Sequence, residues 1–254
     1  MLTQAMLSLP PLAWAALVAA FLFGGIVKGI VGIGLPLVLV PLTTQFLELP
    51  AAIALLTIPM IATNIGQATE GGDTLPAIRR LMPVLATLVP GIWIGVQMLI
   101  GIDRRVLNGI LGVAFVILAA LLLSMPRLRL SRAADRWSGP LAGLLAGLLG
   151  GMSAMFGPPM ILWMVGRGTE PDVFVKSMAI IAFTGSVSLL LALGGAGSMS
   201  LPDLLVSAVA IIPIQLGMPV GRWLRRRIDP SAFRVGVLVL LALGGLDLLR
   251  RSWL

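Results

Sequence analysis

Lys28 is the residue of this chain best placed to do chemistry. It is the only charge in the apolar run from Leu12 to Leu47 and stands six residues before Gly34. A cation at the centre of a bilayer costs roughly 3 kcal/mol on insertion scales, so such residues mark pathways for ligands or ions. Its long stem also allows it to snorkel to an interface. About 9 Å of helix separates it from Gly34 at ~1.5 Å per residue, and both fates fit that distance. The pathway role is the reading adopted here.

The surrounding residue types point to anion binding. Gly32, Gly34 and Pro36 end one helix and start another, and Gly157, Pro158 and Pro159 do the same in the second half. A half-helix that starts inside the membrane aims its first backbone N–H groups and its positive dipole end at the interior, an arrangement that holds anions in transporters. Glycine beside the break lets the backbone come close to a ligand. Gly24, Gly25, Gly143 and Gly147 read instead as helix-packing positions. Asn64, Thr184 and Ser186, with Thr63, Gln67, Ser188, Gln97 and Gln215, can give hydrogen bonds to oxyanion oxygens without further charge. Each of these taken singly also fits an ordinary hydrogen bond between helices, with Asn64 the strongest candidate for a ligand contact.

Enzymatic chemistry finds little support. The chain has neither cysteine nor histidine, which removes thiolate nucleophiles, disulfides and the usual zinc sites. The acidic residues fall in loops or near segment ends. Gly-Ile-Gly-Leu-Pro lacks both the preceding strand and the third glycine of a dinucleotide-binding turn. No enzyme activity, cofactor or metal is expected, and no in-membrane carboxylate is available to a cation carrier.

Those residues need membrane helices to hold them. Of 254 residues, 58% are hydrophobic and only 11% charged, and uncharged stretches long enough to cross a bilayer recur along the chain. Alternating strands of the barrel type are absent from the pattern. The fold class is therefore an all-α polytopic membrane protein. The net charge of +8 comes from arginines flanking apolar segments, so it reads as loop charge and not as a nucleic-acid surface. The partners implied are the lipid bilayer and a small anion. The N-terminus has no basic region of the signal-peptide kind and is expected to stay in the fold.

An ordered series of residues recurs. Gly24 returns as Gly147, Gly34-Leu35-Pro36 as Gly157-Pro158-Pro159 and Gly71-Gly72 as Gly194-Gly195, all 123 positions on. Gly91 then returns as Gly217, Gly95 as Gly221 and Ile102-Asp103 as Ile228-Asp229, 126 positions on. The slip falls in a loop, so the pattern predicts a duplication. Residues 1–125 form a first repeat, 126–136 a basic linker and 137–254 a second repeat. Each repeat holds a broken segment and three ordinary ones.

Loop charge decides how the repeats face. If each broken segment crosses the membrane once, eight Lys and Arg lie on one side and nine on the other. If each doubles back, Arg79, Arg80, Arg127, Arg129, Arg132, Arg136, Arg167, Lys176, Arg222, Arg225, Arg226, Arg227 and Arg234 share a side. That is thirteen against Arg104, Arg105, Arg250 and Arg251. Only the second split satisfies the positive-inside rule. Two inverted repeats are expected, each a re-entrant helical hairpin plus three transmembrane helices. The linker would be cytoplasmic and both termini outside, in a bacterial inner membrane.

Lys28-Gly29-Ile30-Val31-Gly32-Ile33-Gly34-Leu35-Pro36, running on to Val40-Pro41-Leu42, resembles the first-repeat motif of the sulfite exporter TauE/SafE family, the toluene-sulfonate uptake permeases. Gly143 to Met164, with Gly150-Gly151-Met152-Ser153 and Phe156-Gly157-Pro158-Pro159, resembles the second. The resemblance covers nearly the whole chain and implies transport of sulfite, a sulfonate or a related organic acid. The commoner form of the motif has Gly-Gly-Gly where this chain has Gly34-Leu35-Pro36 and Gly157-Pro158-Pro159, a difference that bears on substrate. Without an obvious proton-relay residue, export is the expected direction, because an anion leaving a negative interior runs downhill. Ion-coupled uptake and a non-transporting assembly role are the alternatives. Oligomeric state is not legible in the sequence.

Overall fold

In a computed structural model of the chain, residues 2–31, 34–69, 74–124, 132–225, 227 and 230–253 are described. They form helices only. The first half runs α1 (Leu2–Leu7), α2 (Pro11–Val31), α3 (Leu35–Thr43), α4 (Leu49–Thr69), α5 (Thr74–Gly101) and α6 (Arg104–Ser124). The second runs α7 (Arg132–Ser153), α8 (Gly157–Gly166), α9 (Pro171–Gly195), α10 (Leu201–Val209), α11 (Ile211–Arg225) and α12 (Pro230–Trp253). Among the described residues, six helical segments are long and apolar enough to cross a membrane. The protein is an all-α, multi-pass membrane protein.

Both broken segments double back. Cβ added to Gly24 on α2 would lie 2.7 Å from the Leu39 side chain on α3. In one continuous helix those residues would stand about 22 Å apart. In the second half, a Cβ added to Gly139 on α7 would lie 3.1 Å from the Trp163 ring on α8. Contacts between distant segments then sort the loops. Arg251 donates to the Thr44 carbonyl at 3.2 Å, and Thr3 donates through N–H and hydroxyl to Asp203 at 2.7 and 2.8 Å. Glu48, Arg104, Ser198 and Arg251 line one cavity. Arg80, Arg167 and Lys176 line another.

The halves exchange partners. The most extensive packings are α5 on α7, α2 on α11, α6 on α12 and α4 on α9. Glycine makes the first two possible. A Cβ on Gly25 or Gly29 would lie 2.2–2.3 Å from backbone carbonyls of α11, and one on Gly217 or Gly221 would lie 2.0–2.2 Å from those of α2. Gly91 and Gly95 of α5 meet Gly147 and Gly151 of α7 in the same manner. Close approach of this kind supplies dispersion contact where lipid offers no hydrophobic contrast. The packing aligns Gly25 with Gly147, one residue away from the Gly24 match in the sequence, and Gly24 faces α3.

A hydroxyl group complements a proline in the core. Pro59 has no N–H for the Leu55 carbonyl one turn back. Ser207 of α10 donates to that carbonyl at 2.8 Å and accepts from the Ile58 N–H at 3.2 Å. Thr87 of α5 donates to the Pro140 carbonyl of α7 at 2.7 Å. Three features differ from the sequence pattern. A short helix α1 precedes the first segment. Helix α7 begins at Arg132, so the last five positions of the expected linker are helical. The uncharged stretch after Leu204 is broken at Ala210, where Pro213 leaves the Val209 carbonyl without its helical donor.

Candidate functional site

Helix α2 carries Lys28 in its last turn, where a cation also opposes the negative end of the helix dipole. The side chain does not snorkel. It is 2% exposed, among the largest fully buried side chains of the protein. Its ammonium donates to Asn64 Oδ1 at 2.7 Å, and Asn64 Nδ2 donates to the Met60 carbonyl at 2.7 Å. The second bond fixes the amide so that its oxygen faces Lys28. An ammonium has three N–H donors, and among the described residues Asn64 is its single hydrogen-bond partner. No carboxylate of those residues pairs with it. The centre is therefore a buried amine with one neutral partner among the described residues.

The two hairpin breaks are built differently from one another. Gly34 takes φ +90°, the left-handed region that costs an L side chain about 1–2 kcal/mol. Pro36, buried, occupies the first turn of α3, whose N-terminus has no side-chain cap. At the second break the left-handed residue is Ala154, with φ 61° and complete burial. Gly157 itself has ordinary backbone, and a Cβ there would make only 3.9 Å contacts with Ile161 and Met178. Pro158 and Pro159 are buried in the first turn of α8, again without a side-chain cap. Being prolines, they remove two of the N–H groups that the dipole argument counted on. That end offers field more than hydrogen bonds. Gly32 lies outside the described residues.

Phe156, named in the sequence only as part of the second motif and not as a site residue, fills the second hairpin. Its ring would lie 1.9 Å from a Cβ on Gly150 and 3.1 Å from one on Gly185. Because Gly25 packs on α11 as Gly147 packs on α5, Gly150 is the position equivalent to Lys28. So where the first half buries an ammonium stem, the second half omits a side chain and inserts a ring. The signal was present as glycine at 150 and 185, but only the tertiary contact joins them.

The remaining sequence candidates divide. Ser186 is fully buried and donates to the Ala182 carbonyl at 2.6 Å, a bond within its own helix. Thr63 does likewise with Pro59 at 2.8 Å. Thr184 is half-buried on α9. Gln97 and Gln215 face outward and are exposed, which removes them from any lining. Gln67 Oε1 and Ser188 Oγ are buried polar atoms without a partner among the described residues. Among the described residues, hydrogen bonds bring together Lys28 and Asn64 and leave the other candidates separate.

The family comparison agrees with this architecture. A sequence profile described as Sulfite exporter TauE/SafE matches residues 17–248, which takes in both hairpins and Lys28. No curated protein and no solved structure matches the chain. With a family profile spanning almost its whole length and the helical membrane architecture in place, the chain belongs to the sulfite exporter TauE/SafE family.

Proposed function

We infer that the protein exports a small anion, sulfite, a sulfonate or a related organic acid, and that the anion binds at Lys28. The observation that carries this reading is the ammonium buried at 2% exposure with one neutral hydrogen-bond partner. A buried charge without a counter-charge is costly, and a bound anion would supply both the charge and acceptors for the remaining donors. Asn64 orients the ammonium. The starts of α3 and α8, at Gly34-Leu35-Pro36 and Gly157-Pro158-Pro159, add the positive ends of two helix dipoles. Gly32, Thr184 and Ser186 complete the proposed surroundings.

In this reading the two halves are inverted repeats about a linker at 126–136, with the linker cytoplasmic, both termini outside and the chain in a bacterial inner membrane. Its support is the thirteen-to-four split of loop cations. An anion leaving such a cell gains roughly 2.3 kcal/mol per charge per 100 mV, so no coupled ion is needed.

Proteoliposomes loaded with labelled sulfite, under an imposed potassium-valinomycin potential, test the whole reading. The expected result is efflux that follows the potential in the unmodified protein. In Lys28→Met, which remains folded, efflux falls by about tenfold or more, equivalent to about 1.4 kcal/mol. Unchanged efflux in Lys28→Met would remove the ammonium from the pathway. Flux that follows a pH or sodium gradient and ignores the potential would replace export with coupled uptake.

A further inference from the structure

The two ends of the helix bundle differ. At one end, between the first turns of α5 and α9 and the last turn of α8, lies an open cavity of about 850 Å³. Ala77, Lys176 and the exposed Glu170 are among its lining residues. Carried across the duplication, by an offset of 126 for Ala77 and 123 for the others, these positions become Asp203, Ile53 and Leu47. All three are buried, Ile53 completely. They belong to the opposite end of the bundle, because Ser198, just before α10, shares a cavity with Leu99 and Ile102 at the end of α5. What fills the equivalent space there is α1.

Helix α1 packs on α4 and α10. Leu2 is 0% and Met6 4% exposed, and Met6 lines one small cavity with Leu55 of α4 and Val206 of α10. Val206 is the counterpart of Arg80, which lines the open cavity. A polar latch adds to this apolar seat. Thr3 donates its N–H and its hydroxyl to Asp203 Oδ1 at 2.7 and 2.8 Å. Asp203 is 1% exposed, and its other oxygen accepts from the Ser200 N–H and hydroxyl at 3.0 and 2.8 Å, capping α10. A helix of six residues is unstable alone, so seat and latch together hold α1 in place.

We propose that α1 is a plug, closing at its end of the bundle the entrance that stands open between α5 and α9 at the other. A carrier built from two opposed halves exposes its site to one side at a time, so the closed entrance opens in the alternate state. Opening then requires α1 to leave its seat between α4 and α10 and to break the Thr3–Asp203 bonds. The proposal takes the paired halves and transport from the preceding reading, and it holds for any cargo.

The chain has no cysteine, so single thiols report on each entrance. Ile53→Cys marks the plugged entrance and Lys176→Cys the open one, with the whole protein in nanodiscs. The measured quantity is the rate of modification by a small charged methanethiosulfonate. Leu2→Ser with Met6→Ser, or Asp203→Ala, is expected to raise the rate at position 53 by about tenfold and leave that at 176 unchanged. A rise at both positions would mean general loosening, and no rise at 53 would mean that α1 covers no entrance; either result overturns the proposal. A Thr3→Cys, Asp203→Cys pair tests the motion itself. Oxidised to a disulfide with copper-phenanthroline, it is expected to stop labelled sulfite efflux from proteoliposomes, and reduction restores the efflux. Efflux indifferent to the disulfide also overturns the plug. Should the unmodified protein carry no sulfite, the export reading fails, and the labelling rates decide the plug alone; they decide likewise if the cysteine pair is inactive in both states.

Discussion

The first hairpin buries an ammonium; the second buries a phenyl ring in the corresponding place. Lys28 reaches Asn64 of α4 as its partner, whereas Phe156 is held between Gly150 and Gly185. The two backbone reversals differ too, with the left-handed residue at Gly34 in one and at Ala154 in the other. The comparison teaches that a repeated glycine-proline pattern specifies the reversal but leaves its occupant open. One hairpin carries a buried polar pair, and the other is a packed counterpart whose ring bridges α7 and α9.

Breaking the packed half is expected to have the largest effect. Phe156→Ala empties a buried ring site and costs about 3–5 kcal/mol, seen as a lowered melting temperature of the purified protein. Gly150→Ala forces the same ring aside and destabilises as well. Adding Phe156→Leu to Gly150→Ala is expected to recover part of that loss, and a purely additive decline would refute the ring-in-glycine account.

Breaking the polar half acts by another route. Asn64→Val leaves Lys28 without its one neutral acceptor and costs about 1–3 kcal/mol. Since the penalty belongs to the ammonium, Lys28→Met in the same chain suppresses it. Thermal melts of the two single variants and the double variant form the cycle. Equal losses from Asn64→Val with and without Lys28 would mean the amide serves only α4.

The smallest effects distinguish the two reversals. Ala154→Gly relieves a left-handed alanine and is expected to stabilise by about 1 kcal/mol. Gly34→Ala is expected to destabilise by a similar amount, about 1 kcal/mol, because its φ is +90°. Gly157→Ala stays within about 0.5 kcal/mol, having ordinary backbone and open contacts. A Gly157→Ala loss as large as that of Gly34→Ala would restore the equivalence of the two glycines.

The helical membrane architecture, the two broken segments and the candidacy of Lys28 and Asn64 were all legible in the sequence. Each rests on a local property: the length of an apolar run, a glycine followed by proline, or a charge where none is otherwise tolerated. What the sequence could not supply was contact between residues far apart in the chain. The 2.7 Å bond from Lys28 to Asn64 spans 36 positions and depends on where the packing of the other helices sets α2 relative to α4. The exposed faces of Gln97 and Gln215 depend on helix rotation, which glycine packing of α5 on α7 and of α2 on α11 sets. Phe156 stood in the sequence only as part of the second motif, and its packing role emerged once Gly150 and Gly185 were seen to leave room for its ring. A missing side chain gives no signal until the neighbour that fills its space is known, and packing alone decides that neighbour.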